Sequence, residues 1–313
     1  MFSFAPLFLV ALSSLLASAT PIIYDGRASF NLTAANLDAN KGPFLTVVKG
    51  SQNASHYTTL LGKNTLATPL WSNARYVPNE QVVSVSIDNS SIFSPGGNDQ
   101  NGFRRTDLIA ANDGEHTELL TKMETGVTAF HFSVMKDDKK PLNSSHEYQV
   151  VFIEPNDGTH VFDLQTGSPF TLPTGTLPAT NTNTLRVRNH SGDTLFETEF
   201  TSGNWHNFAV QVDWDNLKLG VFYSKDNAAL SAVTKLVDNT GAKKGAEGQG
   251  DFHVGVLKLP IANPVDTAEQ QSDVVHFGIQ EGTIEALLYS GVFVESVAQG
   301  VSAGLGRSAK AIA

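Results

Sequence analysis

The chain has no cysteine. Disulfides are therefore excluded, and the fold must rest on a core large enough to do without them. A chain of 313 residues can bury such a core. Charge is also sparse: Asp, Glu, Lys and Arg make up 17% of the residues, and 31 acidic against 21 basic side chains leave a net charge of −10. This shortage of positive charge argues against nucleic acid as a partner, and against anionic polymers such as pectin or alginate. A neutral polysaccharide is compatible with it. The motifs H-E-x-x-H, G-x-S-x-G, G-x-G-x-x-G and the P-loop are all missing. The nine histidines show no close metal-ligand spacing, so no metal or cofactor is expected. No repeat period is visible, and no Pro/Ser linker leads to a second module. The apolar run Phe2 to Leu16 is too short to span a bilayer comfortably and no second run follows, so no membrane association is expected.

What is present points to export and to β structure. Phe2 to Leu16 followed by Ala17-Ser18-Ala19 reads as a signal-peptide core with a small-residue cleavage site, so residues 1–19 are expected to be removed on secretion. Five N-x-S/T sequons, at Asn31, Asn53, Asn89, Asn143 and Asn189, agree with an extracellular glycoprotein. Runs rich in Val, Phe, Ile and Tyr, bounded by Gly, Pro, Asn and Asp, recur from residue 82 to 294. Strands are predicted at 82–87, 127–134, 147–153, 208–214, 219–223, 252–259, 274–280 and 287–294, with short helices near 228–236 and 266–271. Many strands and few helices predict a sandwich or barrel, as one domain over 20–295 with a short polar tail at 296–313 expected to fray.

Alternation then sorts side chains by face. Thr128, Phe130, Phe132 and Val134 oppose His131; Tyr148, Val150 and Phe152 oppose Glu147 and Gln149; Phe252, Val254 and Val256 oppose His253. A repeated polar face of His, Gln and Glu fits a lined groove, although an ordinary solvated face is the simpler reading. Arg105 and Asp107 fall on one face, close enough to pair. An arginine beside a carboxylate holds it ionised, which suits a general base, and a structural ion pair is the competing reading. Glu147 is the candidate general acid. Glu154, on the core side by alternation and next to a proline, reads as a strand-end residue. Glycoside hydrolysis needs two carboxyl groups flanking the scissile bond, and Asp107 and Glu147 are the pair this reading selects, within about 5–9.5 Å of each other. Gln149, His131 and His253 would line the groove with Arg105, and Trp71 is the candidate sugar platform.

The runs GFRRTDL at 102–108, HEYQVVFIEPNDGTHVF at 146–162, WHNFAVQVDWDN at 205–216, GQGDFHVGVLKLP at 248–260 and LLYSGVFVE at 287–295 resemble glycoside hydrolase family 131. The likeness extends over about residues 22 to 295. It implies a secreted fungal β-jelly roll acting on β-1,3- and β-1,6-glucan from chain ends and on β-1,4-glucan internally; a monomer is expected. It also implies catalytic carboxylates at positions 107 and 147, the first being a glutamate in the family pattern where this chain has Asp107. Two alternatives remain at this point. One is a carbohydrate-binding protein without catalysis. The other is a jelly-roll polysaccharide lyase, which would need Gln-x-His and a tyrosine, whereas here Gln149 is followed two residues on by Val151 and the 252–259 strand has no tyrosine.

Overall fold

The structure, a computed structural model, describes residues 21–72 and 79–313. The expected signal peptide lies outside the described residues. In chain order the strands are β1 (Ile22–Asp25), β2 (Phe44–Leu45), β3 (Thr58–Leu60), β4 (Val83–Ile87), β5 (Arg104–Ala110), β6 (Val127–Lys136), β7 (Glu147–Pro155), β8 (Phe162–Gly167) and β9 (Thr184–Asn189). They continue as β10 (Thr194–Glu199), β11 (His206–Asp213), β12 (Lys218–Lys225), β13 (Ser231–Ala232), β14 (Val237–Asp238), β15 (Gly250–Lys258), β16 (Glu285–Ser296), β17 (Val301–Gly304) and β18 (Arg307–Ala309).

Two antiparallel sheets stack face to face. One runs β13-β12-β11-β6-β16-β4-β3, with β1 beside β16 and β14 beside β12; the other runs β10-β9-β8-β7-β15-β5-β2. Strands distant in sequence thus lie side by side, and the fold is the expected β-jelly roll. The core between the sheets takes Phe130, Phe132 and Val134 from β6 and Phe208, Val210 and Val212 from β11. Opposite them stand Tyr148, Val150, Val151 and Ile153 of β7 with Val254 and Val256 of β15. Each such side chain contributes about 1.5–3 kcal/mol on burial, which is how a chain without disulfides is held.

Three local expectations are corrected. Residues 274–280 alternate like a strand but form turns, because only one isolated bridge, Ile261 to Ile279, is available to them. Residues 228–236 are not helical; β13 forms there because β12 offers an open edge, pairing Phe222 with Ala232 and Tyr223 with Ser231. The tail does not fray. β17 and β18 form a hairpin, Val301 and Ala303 pack with Leu70 and Ala209, and the Gln211 side chain bonds both the N–H and the carbonyl of Ile312. The tail therefore covers the outer face of β6 and β11.

His206, at the start of β11, yields a pH prediction. The Thr201 N–H donates to its Nε2 at 3.2 Å, and its Nδ1 lies 2.9 Å from the Tyr223 hydroxyl. A nitrogen that accepts a hydrogen bond carries no proton, so the ring is neutral. Burial, aided by Lys225, lowers its pKa from 6.5 to about 4. Between these values the unfolded chain binds more protons than the folded one, so His206 makes stability fall as pH falls from 6.5 to 4 and level off below. The expected loss is on the order of 2–3 kcal/mol. Thermal midpoints of wild type and His206→Gln should converge as pH drops through this window; parallel curves would refute the assignment.

Candidate active site

The outer face of the β10-to-β2 sheet is polar. β5 places Arg105 and Asp107 on it, and β15 places His253 and Gly255, with Asp107 paired to Gly255 and Ile109 to His253. β7 lies on the other side of β15, pairing Phe152 with His253 and Glu154 with Asp251.

β7 does not keep strict alternation. Its register slips by one residue between Gln149 and Val151, against both β15 and β8. Val150 and Val151 consequently both face the core. A one-residue slip exchanges the faces of everything beyond it. Phe152 and Glu154, read from alternation as core-facing, therefore stand on the groove face beside His253.

There one guanidinium joins two carboxylates. Arg105 Nε donates to Asp107 Oδ2 at 2.6 Å, and its Nη2 donates to Glu154 Oε2 at 2.5 Å. The planar fork keeps these two oxygens within about 7.5 Å of each other. The guanidinium is itself clamped, 5.8 Å from the Phe93 ring centroid and 5.6 Å from that of Phe152. His253 lies between the same carboxylates, its Nδ1 3.4 Å from Asp107 Oδ2 and its Nε2 3.7 Å from Glu154 Oε2. Its ring stacks on Phe152 at 4.7 Å and 15°, and His160 stacks on Phe152 as well, at 4.4 Å and 20°.

The two carboxylates differ in environment. The Asp107 side chain is 0% exposed and that of Glu154 is 23% exposed. Burial alone would raise the pKa of Asp107, but the Arg105 charge, with help from His253, outweighs it and holds the group below its ordinary value. For Arg105 burial works against the charge, yet Asp107 and Glu154 together push its pKa up. Asp107 Oδ1 accepts no hydrogen bond from a described protein group. Gly255 makes room for it, since a Cβ there would sit 2.4 Å from that oxygen and 2.2 Å from the Thr106 carbonyl.

The other expected site residues are placed elsewhere. Asp107 and Glu147 do not face each other. The Glu147 carbonyl accepts from the N–H of Leu259, four residues along the chain from Gly255, the partner of Asp107, and on the other side of β15. At about 3.3 Å per residue and 4.8 Å between strands, their backbones are about 16 Å apart. The Glu147 carboxylate accepts instead from Arg188 Nη2 at 2.9 Å, Gln149 Nε2 at 2.9 Å and the Phe170 N–H at 2.6 Å. Arg188 also binds Asp163, and this network pins the segment after β8. Gln149 is on the groove face, half-buried, at this far end.

His131 and Trp71 are on the other sheet. His131 Nε2 lies 2.9 Å from Glu295 Oε1 with both side chains 0% exposed, its ring stacks on Phe293 at 4.2 Å, and Trp71 packs edge-on at 5.6 Å. Alternation does turn His131 away from the core, but the tail and the Pro69–Trp71 turn cover that face. Neither residue reaches the groove. Sequence reasoning also missed Glu154, Phe152 and Phe93. The slip in β7 leaves no signature except the adjacent valines, and Phe93 reaches Arg105 from a loop.

The family model for the glycoside hydrolase 131 catalytic N-terminal domain matches residues 22–300. No curated protein sequence matches the chain. Among solved structures, the GH131 β-glucanase catalytic domain from Podospora anserina superposes with a TM-score of 0.65 at 24% identity, covering 92% of this chain and 100% of that one. The catalytic domain of the glycoside hydrolase family 131 protein from Coprinopsis cinerea gives a TM-score of 0.64 at 23% identity, covering 92% and 99%. At these identities the structures speak for the fold, and the family match speaks for the chemistry. Two arginine-bridged carboxylates on the outer face of a jelly roll, and a family match from residue 22 to 300, identify the chain as a glycoside hydrolase belonging to glycoside hydrolase family 131.

Proposed function

We propose that the protein is a secreted, monomeric β-glucanase whose catalytic carboxylates are Asp107 and Glu154. The observation that carries this is the single guanidinium of Arg105 bound to both. The resemblance to family 131 supports action on β-1,3- and β-1,6-glucan from chain ends and on β-1,4-glucan internally. The similar Podospora domain is a β-glucanase, which supports the substrate class. The predicted signal sequence and sequons support secretion, and among the described residues no helix is long and apolar enough to cross a membrane.

Glu154, the more exposed member, gives a proton from Oε1, the oxygen that Arg105 Nη2 does not bond, to the leaving glycosidic oxygen as the C1–O bond breaks. Asp107, held ionised but with its side chain fully buried, draws the proton of the water that attacks C1 from the other face through His253, whose Nδ1 lies 3.4 Å from Asp107 Oδ2. One water is consumed and both new ends are hydroxyls. A carboxylate as recessed as Asp107 suits action through water rather than direct attack on carbon, so the proposal is inversion. His253, between the two carboxylates, supplies the path by which the proton returns to Glu154.

The test is a product assay on laminarin, a β-1,6-glucan and a soluble cellulose derivative, with proton NMR of the first sugar formed. New reducing ends without ultraviolet absorbance, and an initial α-anomer, are expected. Binding without release would make the protein a lectin, absorbing unsaturated ends would make it a lyase, and an initial β-anomer would mean retention.

A further inference from the structure

A hollow of about 390 Å³ lies beside the catalytic cluster, on the side of β5 away from β15, and Phe93 is one of its walls. The same ring packs against the Arg105 guanidinium. Phe93 thus touches both the carboxylate-binding arginine and the hollow. The backbone frame is also shared. Arg105 N–H donates to the Ser91 carbonyl and Asp107 N–H to the Val48 carbonyl, both at 2.9 Å, so the segments lining the hollow are the ones that extend the sheet past β5. Gly50 lets these segments meet: a Cβ there would lie 1.9 Å from the Ser90 carbonyl and 2.5 Å from the Tyr57 hydroxyl. The Tyr57 hydroxyl in turn bonds Ser90, at 3.0 Å to its carbonyl and 2.8 Å to its Oγ.

The lining has the chemistry of a sugar site. Val47, Ile92 and Phe93 offer apolar surface, and Val47 is 49% exposed. Lys49, Ser94 and Asp99 offer donors and acceptors around it. Lys49 is anchored, its Nζ donating to the Gln52 carbonyl at 2.7 Å. One cation and one anion leave the hollow without net charge, which disfavours an acidic polymer. A β-linked glucosyl ring has two apolar C–H faces and a rim of hydroxyls, and the size is in the range of pockets that enclose small organic ligands.

We infer that this hollow is a subsite for glucosyl units of the same neutral glucan chain whose scissile bond lies over Glu154 and Asp107. The inference rests on the β-glucanase reading above. It makes Val47, Ile92 and Asp99 determinants of chain-length preference, outside the reacting groups.

The test fills the hollow with Val47→Trp and, separately, removes a polar group with the exposed Asp99→Ala. Turnover is measured on a β-glucan oligosaccharide series, and binding of the same series to Glu154→Gln protein with and without each change. Long oligosaccharides should lose kcat/KM and affinity by about tenfold with Val47→Trp, while the shortest cleaved substrate is unchanged. Asp99→Ala should give a smaller loss of the same length dependence, and it stands alone if the tryptophan variant fails to fold. Equal losses at all lengths, or no change at any, would overturn the subsite, as would tighter binding of an anionic oligogalacturonide than of the glucan. If glucan binds with this length dependence but is never cleaved, the hydrolytic reading fails and the subsite stands. If glucan is cleaved without length dependence, the reverse holds.

Discussion

Replacing Glu154 by Gln is expected to lower glucan turnover by about 10²–10⁴-fold while leaving the fold intact, because the change keeps the shape of the side chain and removes the proton it donates. Arg105 Nη2 can still donate to the amide oxygen at this position, so the cluster should stay assembled. Glu147→Gln is the informative contrast. Glu147 is bound by Arg188, Gln149 and the Phe170 N–H, and it stands far along the sheet from Asp107. Its loss should appear as about 1–3 kcal/mol of stability, with turnover largely kept in the folded fraction. Steady-state rates and thermal midpoints for both variants decide the matter. A dead Glu147→Gln enzyme with an unchanged midpoint, beside an active Glu154→Gln, would reverse the assignment.

Arg105→Met should have the largest effect on stability. It deprives Asp107, whose side chain has no exposed surface, of the charge that offsets its burial. Removing one partner of a buried ion pair costs about 3–5 kcal/mol. Without Arg105, burial dominates and the Asp107 pKa rises. In the wild type that pKa is depressed, so Asp107 contributes stability above its unfolded value near 3.8 and loses it as pH falls through the folded value. In the variant Asp107 takes up a proton at higher pH instead. The gap between the two proteins should therefore be widest at neutral pH and narrow on acidification. Arg105→Lys should not restore activity, since one ammonium cannot reproduce a fork that donates to Asp107 and Glu154 at once between two aromatic rings. Denaturant melts of Arg105→Met across pH check this, and a midpoint at pH 7 equal to that of wild type would refute it.

The sequence alone determined a good deal. The strand runs, their turn residues and the lack of cysteine specified a large all-β sandwich, because period-two alternation and apolar content are local properties that one strand carries by itself. The pairing of Arg105 with Asp107 was legible for the same reason: residues two apart on a strand share a face. His253 was legible as a groove residue because β15 alternates without interruption from Phe252 to Val256.

Only the tertiary structure decided which glutamate joins them. Glu147 and Glu154 lie on the same strand, and strict alternation gives the groove to the first and the core to the second. The register slip at Val150 and Val151 reverses the far half of the strand, and such a slip is set by pairing with β8 and β15, which lie outside the segment. The burial of His131 is equally non-local. Its face is the one alternation predicts, but the C-terminal tail folds back over it, and Glu295, 164 residues away, supplies its partner. A sequence states which side of its own strand a residue occupies; what lies on that side depends on loop closures and strand neighbours that only the folded chain brings together.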